Sequence, residues 1–248
     1  MSKKIELLDI EVFPNYYLCS ARDVETKETL IFEVSEEINQ LKEQKEWYNK
    51  HKSIKFKHYD FIVSFNGEHY DFVVINFIIN NMNKWQYLTN LEICFKIKEF
   101  SDHIIETSRN QIYNDPLIKS NKYSHKWTSI DLMLYFAKSI RISRKISLKG
   151  LAIQMGYHHI QELPYPPDTI LNKEQIEEVK KYNLNNDLGI LEMLYNRMMP
   201  DIKIRQTIHY TEAIPWWIMD AGKITSGILA KEYCNQLGKD LKEFESQK

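Results

Sequence analysis

The stretch Ile5-Glu-Leu-Leu-Asp-Ile-Glu-Val12 decides how this chain is read. Its run of Leu, Ile and Val has the length and composition of a strand buried within a sheet. Side chains alternate between the two faces of a strand, so Asp9 and Glu11 point to the same side. Working outward, Tyr16 to Ala21 and Leu30 to Val34 are two further apolar runs, with breaks at Pro14-Asn15 and Glu25 to Glu28, which predicts a three-stranded antiparallel meander. Ser35 reads as an N-cap with Glu36 and Glu37 in the first turn of a helix reaching about Lys50, and Ile38, Leu41 and Tyr48 lie near one face. Phe61 to Phe65 is a buried-type strand closed by Asn66-Gly67, and Tyr70 to Ile79 has the length of a buried helix. From Asn80 to Trp127 the pattern is mixed, with some helix. Thr128 to Leu132 reads as a short strand and Leu148 to Met155 as a short helix ended by Gly156. Prolines make Glu162 to Pro167 an extended connection. Asn172, with Gln175 three residues on, opens a long helix through Arg197 that stops near Pro200. Residues 1–200 then form one α/β domain with a mixed sheet covered by helices. Residues 201–248, carrying Pro215-Trp216-Trp217, form a C-terminal extension or docking arm.

Composition removes several classes of function. In 248 residues, 33 basic side chains against 34 acidic ones leave a formal charge of −1, which names no partner, and 43% hydrophobic residues suffice for a single large core. The longest apolar run, Phe72 to Ile79, is broken by Asn76 and falls far short of the roughly 20 residues of a membrane span. Nothing in Met-Ser-Lys-Lys and the segment after it resembles an export signal. Cys19, Cys94 and Cys234 are odd in number and widely spaced, which argues against disulfides or a zinc site and fits a reducing cytoplasm. Seven glycines and no Gly-rich phosphate motif set nucleotide-binding loops aside.

Carboxylates are where chemistry can sit. A pair of acids on an apolar strand is costly unless a cation or a hydrogen-bond network compensates. Alone, Asp9-Ile-Glu11 is weak, because about one such D-x-E arises by chance in this composition. The second element is Asn66-Gly-Glu-His-Tyr70-Asp71, which puts an acid at the opening of an apolar helix; N-x-x-x-[FY]-D is expected only about 0.1 times by chance. Taken singly, Asp71 reads equally as a helix cap. The third is Asp187, in an Asn-rich stretch that works against helix propensity yet is followed by core-type Leu188, Ile190, Leu191 and Leu194.

In this order, Asp9-Ile-Glu11, Asn66-x-x-x-Tyr70-Asp71 and Tyr182 before Asp187 resemble the three exonuclease motifs of the DEDD superfamily, in the form found as the 3′→5′ proofreading domain of DNA polymerases. The wider phrasing, Leu7-Leu-Asp-Ile-Glu-Val-Phe-Pro-Asn15, Ser64-Phe-Asn-Gly-x-x-Tyr-Asp71 and Ser147-Leu-Lys-Gly-Leu-Ala152, is similar to the bacteriophage members, over roughly residues 4 to 200. The resemblance implies a ribonuclease-H-like α/β fold, with a central mixed sheet whose first three strands are antiparallel and which helices flank. It also implies two divalent ions, Mg²⁺ or Mn²⁺. By position, Asp9 would bridge the ions, Glu11 and Asp187 would complete one site, and Asp71 would hold the second ion through its water shell. Asn66 and Tyr70 would touch the last nucleotides of a single strand. Such a domain usually precedes a polymerase region, and residues 201–248 supply no palm-type aspartates, so the expectation is a separate exonuclease subunit or a fragment.

Two departures from the pattern matter. Tyr182 precedes Asp187 by five residues rather than four, with Asn183 in the fourth place back. Five residues turn a regular helix through about 500°, leaving Tyr182 about 140° away from Asp187. A π-bulge near residues 183 to 186 absorbs one residue and would return Tyr182 to the site; otherwise Asn183 takes its place. The second departure is Val12, where many relatives carry a hydroxyl residue. From Leu132 to Gln161 there is no acid, while Lys138, Arg141, Arg144, Lys145 and Lys149 form a basic run, either a solvated face or a phosphate-binding stripe in which Lys149 is the best single DNA contact. Asp131 reads as structural, and His158-His159 as surface or packing residues. The expected activity is a metal-dependent 3′→5′ exonuclease that releases nucleoside monophosphates from a single-stranded or frayed DNA 3′ end, with a polymerase on another chain as partner and the host cytoplasm as its place. The alternative is a catalytically idle module that binds DNA or recruits a polymerase.

Overall fold

The computed structural model describes residues 4–52, 61–111, 114–124, 129–140, 147–212 and 221–238. Its centre is strand β1 (Ile5–Phe13). Antiparallel to it runs β2 (Tyr16–Asp23), with Asp9 opposite Ser20 and Glu11 opposite Leu18, and β3 (Thr29–Val34) continues the meander. On the other side of β1 lie β4 (Phe61–Ser64), parallel and in register at Leu7 with Val63, and then β5 (Ser129–Asp131), also parallel. The order β3-β2-β1-β4-β5 makes a five-stranded mixed sheet whose first three strands are antiparallel, compatible with a ribonuclease-H-like fold.

Both faces of β1 are covered, as its near-continuous apolar sequence requires. Leu8, Ile10 and Val12 pack into a cluster with α1 (Leu41–Lys52), α2 (Asp71–Asn81) and α3 (Asn90–Arg109). Leu7 faces the opposite way, into a cluster with α5 (Leu132–Ile140), α6 (Leu148–Gln154) and α8 (Leu188–Glu212). Helix α7 (Lys173–Tyr182) begins at the expected capping box, with Asn172 accepting from the Gln175 N–H, and Val179 packs on Phe13, Tyr16 and Leu18. In the mixed region, Thr89 and Glu92 form a capping box that opens α3, and Asp115 accepts the Ile118 N–H at the start of α4 (Pro116–Ser124). The segment Glu162 to Pro167 has neither helix nor strand, as its prolines demand.

Two expected boundaries are corrected. Ser35 does not cap a helix: residues 35–40 fold back on the sheet edge, through a Val34–Asn39 bridge, the Ser35 N–H on the Ile38 carbonyl and the Gln40 side chain accepting the Glu33 N–H. The helix starts only at Leu41, because the edge of β3 competes successfully for those backbone groups. Nor does Pro200 stop the last long helix, since α8 runs on to Glu212 with Pro200 inside it. A proline within a helix costs about 3 kcal/mol. Ile202, fully buried just beyond it, contributes roughly 1.5–3 kcal/mol. Asp201 adds contacts by accepting from the Tyr135 hydroxyl and pairing with Arg205, and these offset a cost of the same order. The boundary drawn at residue 200 therefore falls within a continuous helix. Ile224 and Ile228 of α9 (Ala221–Leu237) pack in the same cluster as Leu191. Pro215, Trp216 and Trp217 lie outside the described residues, as do Arg141, Arg144, Lys145 and the side chain of Lys138. Among the described residues, no helix is long and apolar enough to cross a membrane.

Candidate metal centre

β1 presents Asp9 and Glu11 on one face, and the connection between α7 and α8 brings Asp187 to them. One carboxylate oxygen from each of the three lies within 4.8 Å of the others. Asp71 stands outside that trio but beside it: as the first residue of α2 it is buried, accepts the Ile10 N–H, and raises the proton affinity of both Asp9 and Glu11 by its charge. The turn that carries Asp71 is fixed by Asp131, as its structural reading required. One Asp131 oxygen accepts the N–H groups of Asn66, Met133 and Leu134, and the other that of Glu68. This holds Asn66 at φ 69°, a left-handed conformation that Asn tolerates. Gly67 follows because any Cβ there would lie 2.7 Å from the Ser64 Cβ.

Burial and mutual repulsion set the electrostatics. Loss of solvent, then the charges of Asp187, Asp71 and Glu11, push the Asp9 carboxyl well above the usual range. Burial and Asp187 raise Glu11 to about 8. Burial lifts Asp71 to about 7 and pushes Asp187 up as well. Acids held together against their own repulsion, all offering hard oxygen donors, are a set that a divalent cation satisfies. Asp9, Glu11 and Asp187 could therefore hold a metal ion.

The spacing of the third motif is resolved by a π-helical turn over Asn183–Asp187. It returns Tyr182 to the site, where its hydroxyl donates to Asp187 Oδ1 at 3.1 Å, and Asn186 Nδ2 donates to the same oxygen at 2.7 Å. A π-turn frees backbone carbonyls, and here they are taken up: Arg22 donates to the Leu184 carbonyl and the Tyr157 hydroxyl to that of Asn185. Burial first, then Asp187 and Glu11, raise the Tyr182 phenol far above its ordinary value, so it stays protonated as a donor. Asn183 does not replace the tyrosine. Its amide enters the cluster separately, donating to Asp9 Oδ2 at 2.6 Å and accepting from Ser20.

The remaining expected residues are divided. Lys149, on α6, lies 5.6 Å from the Tyr182 ring centroid, lowers the proton affinity of Asp187, and pairs with Glu162 at 2.8 Å. It is thus beside the acids. Tyr70 keeps its ring against the α2–α3 cluster and shares a hydrogen bond of 2.6 Å with Ser101. His158 and His159 are exposed. Sequence reasoning missed Ser20 and gave Asn183 only the role of a substitute; a serine facing Asp9 across the meander register was the available signal. The fold and site together define an α/β protein whose acidic centre is built from one strand and completed at a helix junction. Comparison with protein-family models, curated proteins and solved structures returned no match to this chain.

Proposed function

We propose that the chain is a metal-dependent 3′→5′ exonuclease acting on DNA ends, with Mg²⁺ or Mn²⁺ held by Asp9, Glu11 and Asp187 and a second ion beside Asp9 and Asp71. The observation that carries this is the meeting of three acids from β1 and the α7–α8 junction within 4.8 Å, with the Tyr182 hydroxyl on one of them. The sequence resemblance supplies the reaction class. When bound, a pair of cations lowers the pKa of water and neutralises charge on a leaving oxygen.

The chain's own residues supply position. Hydrolysis forms a bond from water oxygen to phosphorus and breaks the bond to the 3′ oxygen, releasing a nucleoside monophosphate. Tyr182, protonated and hydrogen-bonded to Asp187, fixes that carboxylate and orients a water beside it. Lys149 brings a positive charge next to the same acid, where a phosphate would lie. By the resemblance alone, Asn66 and Tyr70 would touch the terminal nucleotides; the Tyr70 ring packs on the core and its hydroxyl is held by Ser101, so base stacking there would need that contact to yield. A Tyr182 turned away from the acids would favour the idle DNA-binding module, and the contact of its hydroxyl with Asp187 supports the enzymatic reading instead. A polymerase on another chain remains the proposed partner.

The test is digestion of a 5′-labelled single strand in EDTA, Mg²⁺ and Mn²⁺. A ladder shortening from the 3′ end, dependent on the ion and reduced about a hundred- to thousandfold in Asp9→Ala, is expected. DNA binding with no shortening in any ion would overturn the enzymatic reading, and matched RNA oligomers report whether a 2′-hydroxyl is accepted.

A further inference from the structure

We infer that Asn183 is a positioning residue, whose amide holds Asp9 and Glu11 together in an arrangement ready for an ion, with Ser20 fixing the amide's orientation. The inference deepens the metal-centre reading and rests on it. Asn183 is 0% exposed, at the first position of the π-turn. Its Nδ2 donates to Asp9 Oδ2 at 2.6 Å and reaches Glu11 Oε1 at 3.5 Å. Its Oδ1 accepts from the Ser20 hydroxyl, and Ser20 is itself fully buried and paired with Asp9 across β1 and β2.

Three elements thus meet on one amide. The NH₂ end of the amide faces carboxyl oxygens that accept from it, and its oxygen faces the hydroxyl that donates to it. The choice of a neutral donor is chemically specific. Two carboxyl side chains with no shared partner are free to take other rotamers before a cation arrives, whereas one amide reaching both ties them to a single place. A lysine or arginine in this place would hold them but would also neutralise them and compete with the ion. An aliphatic residue would neither compete nor hold. The amide restrains two acids while leaving their charge for a cation, the role that outer hydrogen-bonding partners play at metal sites.

Merely structural packing of Asn183 predicts a change in stability with no change in ion affinity, so affinity is the deciding readout. The experiment is titration of the full chain with Mn²⁺ alone, following free Mn²⁺ by electron paramagnetic resonance, for wild type, Asn183→Ala and Ser20→Ala, with melting in EDTA recorded in parallel. Asn183→Ala is expected to bind Mn²⁺ about ten- to a hundredfold more weakly, and Ser20→Ala to show a smaller loss in the same direction. Wild type that binds Mn²⁺ while both variants stay within about twofold of it overturns this inference alone. If Asn183→Ala does not fold, Ser20→Ala decides by itself: weakened binding supports the inference and unchanged binding overturns it. A wild-type chain that takes up no Mn²⁺ overturns the metal-centre reading and this inference with it.

Discussion

Replacing Glu11 by Gln should stabilise the ion-free protein at alkaline pH and do nothing of the kind once a divalent cation is present. Burial and the neighbouring Asp187 raise the Glu11 carboxyl from 4.5 to about 8. Below about pH 4 both the folded and the unfolded chain hold the proton, and Glu11 carries no penalty. Between the two values the unfolded chain releases the proton and the folded one keeps it, so stability falls as pH rises. The loss is about 1.4 kcal/mol per pH unit, on the order of 2 kcal/mol by pH 6 and 4 kcal/mol by pH 8. Gln has no proton to lose, and its amide oxygen can still accept from Asn183. In EDTA, Glu11→Gln should therefore melt close to wild type at pH 5 and about 10 °C above it at pH 8, at roughly 2–4 °C per kcal/mol for a chain of this size. Millimolar Mg²⁺ or Mn²⁺ favours the ionised carboxylate and should reverse the order, making wild type the more stable. Thermal unfolding followed by circular dichroism at both pH values, with and without ion, measures this directly. A difference between the two proteins that varies with neither pH nor cation would refute the electrostatic reasoning.

Three other changes probe separate parts of the structure. Tyr182→Phe removes the donor to Asp187 but keeps the ring, so nuclease turnover should fall about ten- to a hundredfold while Mn²⁺ affinity holds, measured by single-turnover digestion beside metal titration. Asp131→Asn leaves backbone N–H groups of the Asn66–Glu68 turn or of the α5 start without an acceptor, and should cost about 2–4 kcal/mol in urea unfolding. An unchanged urea midpoint would show that the turn holds itself. Pro200→Ala restores an internal bond of α8 and should raise stability by about 1–3 kcal/mol at unchanged urea dependence; a lower midpoint would mean that the ring packs favourably where it sits.

How legible each feature was depends on the range of the interactions behind it. Strand β1 could be read because period-two placement of Asp9 and Glu11 is a local property, and the need for a π-turn followed from counting residues between Tyr182 and Asp187. The start of α1 could not. Ser35-Glu-Glu has every local mark of a helix opening, and what defeats it is the Glu33 and Val34 backbone nearby in space. Pro200 misled for the same reason, since its penalty is local and the burial of Ile202 against the second cluster is not. Ser20 is the extreme case: its partner Asn183 is 163 residues away, and no window along the chain contains both.

The π-turn also governs the chain far from the acids. Each residue of an α-helix advances the side chains by about 100°. Upstream of the turn, Ile176 and Val179 dock on Phe13 and Leu18, while downstream Leu188, Leu191 and Leu194 dock on the separate group around Leu7 and Val63. The π-turn absorbs the extra residue and so keeps both stripes on their seats; a regular α-helix over the same five-residue spacing would swing one of them about 100° out of alignment. The surplus residue thus rides in the widened turn without changing the phase between two hydrophobic stripes of one rod, and straightening that turn at constant length would unseat one of them.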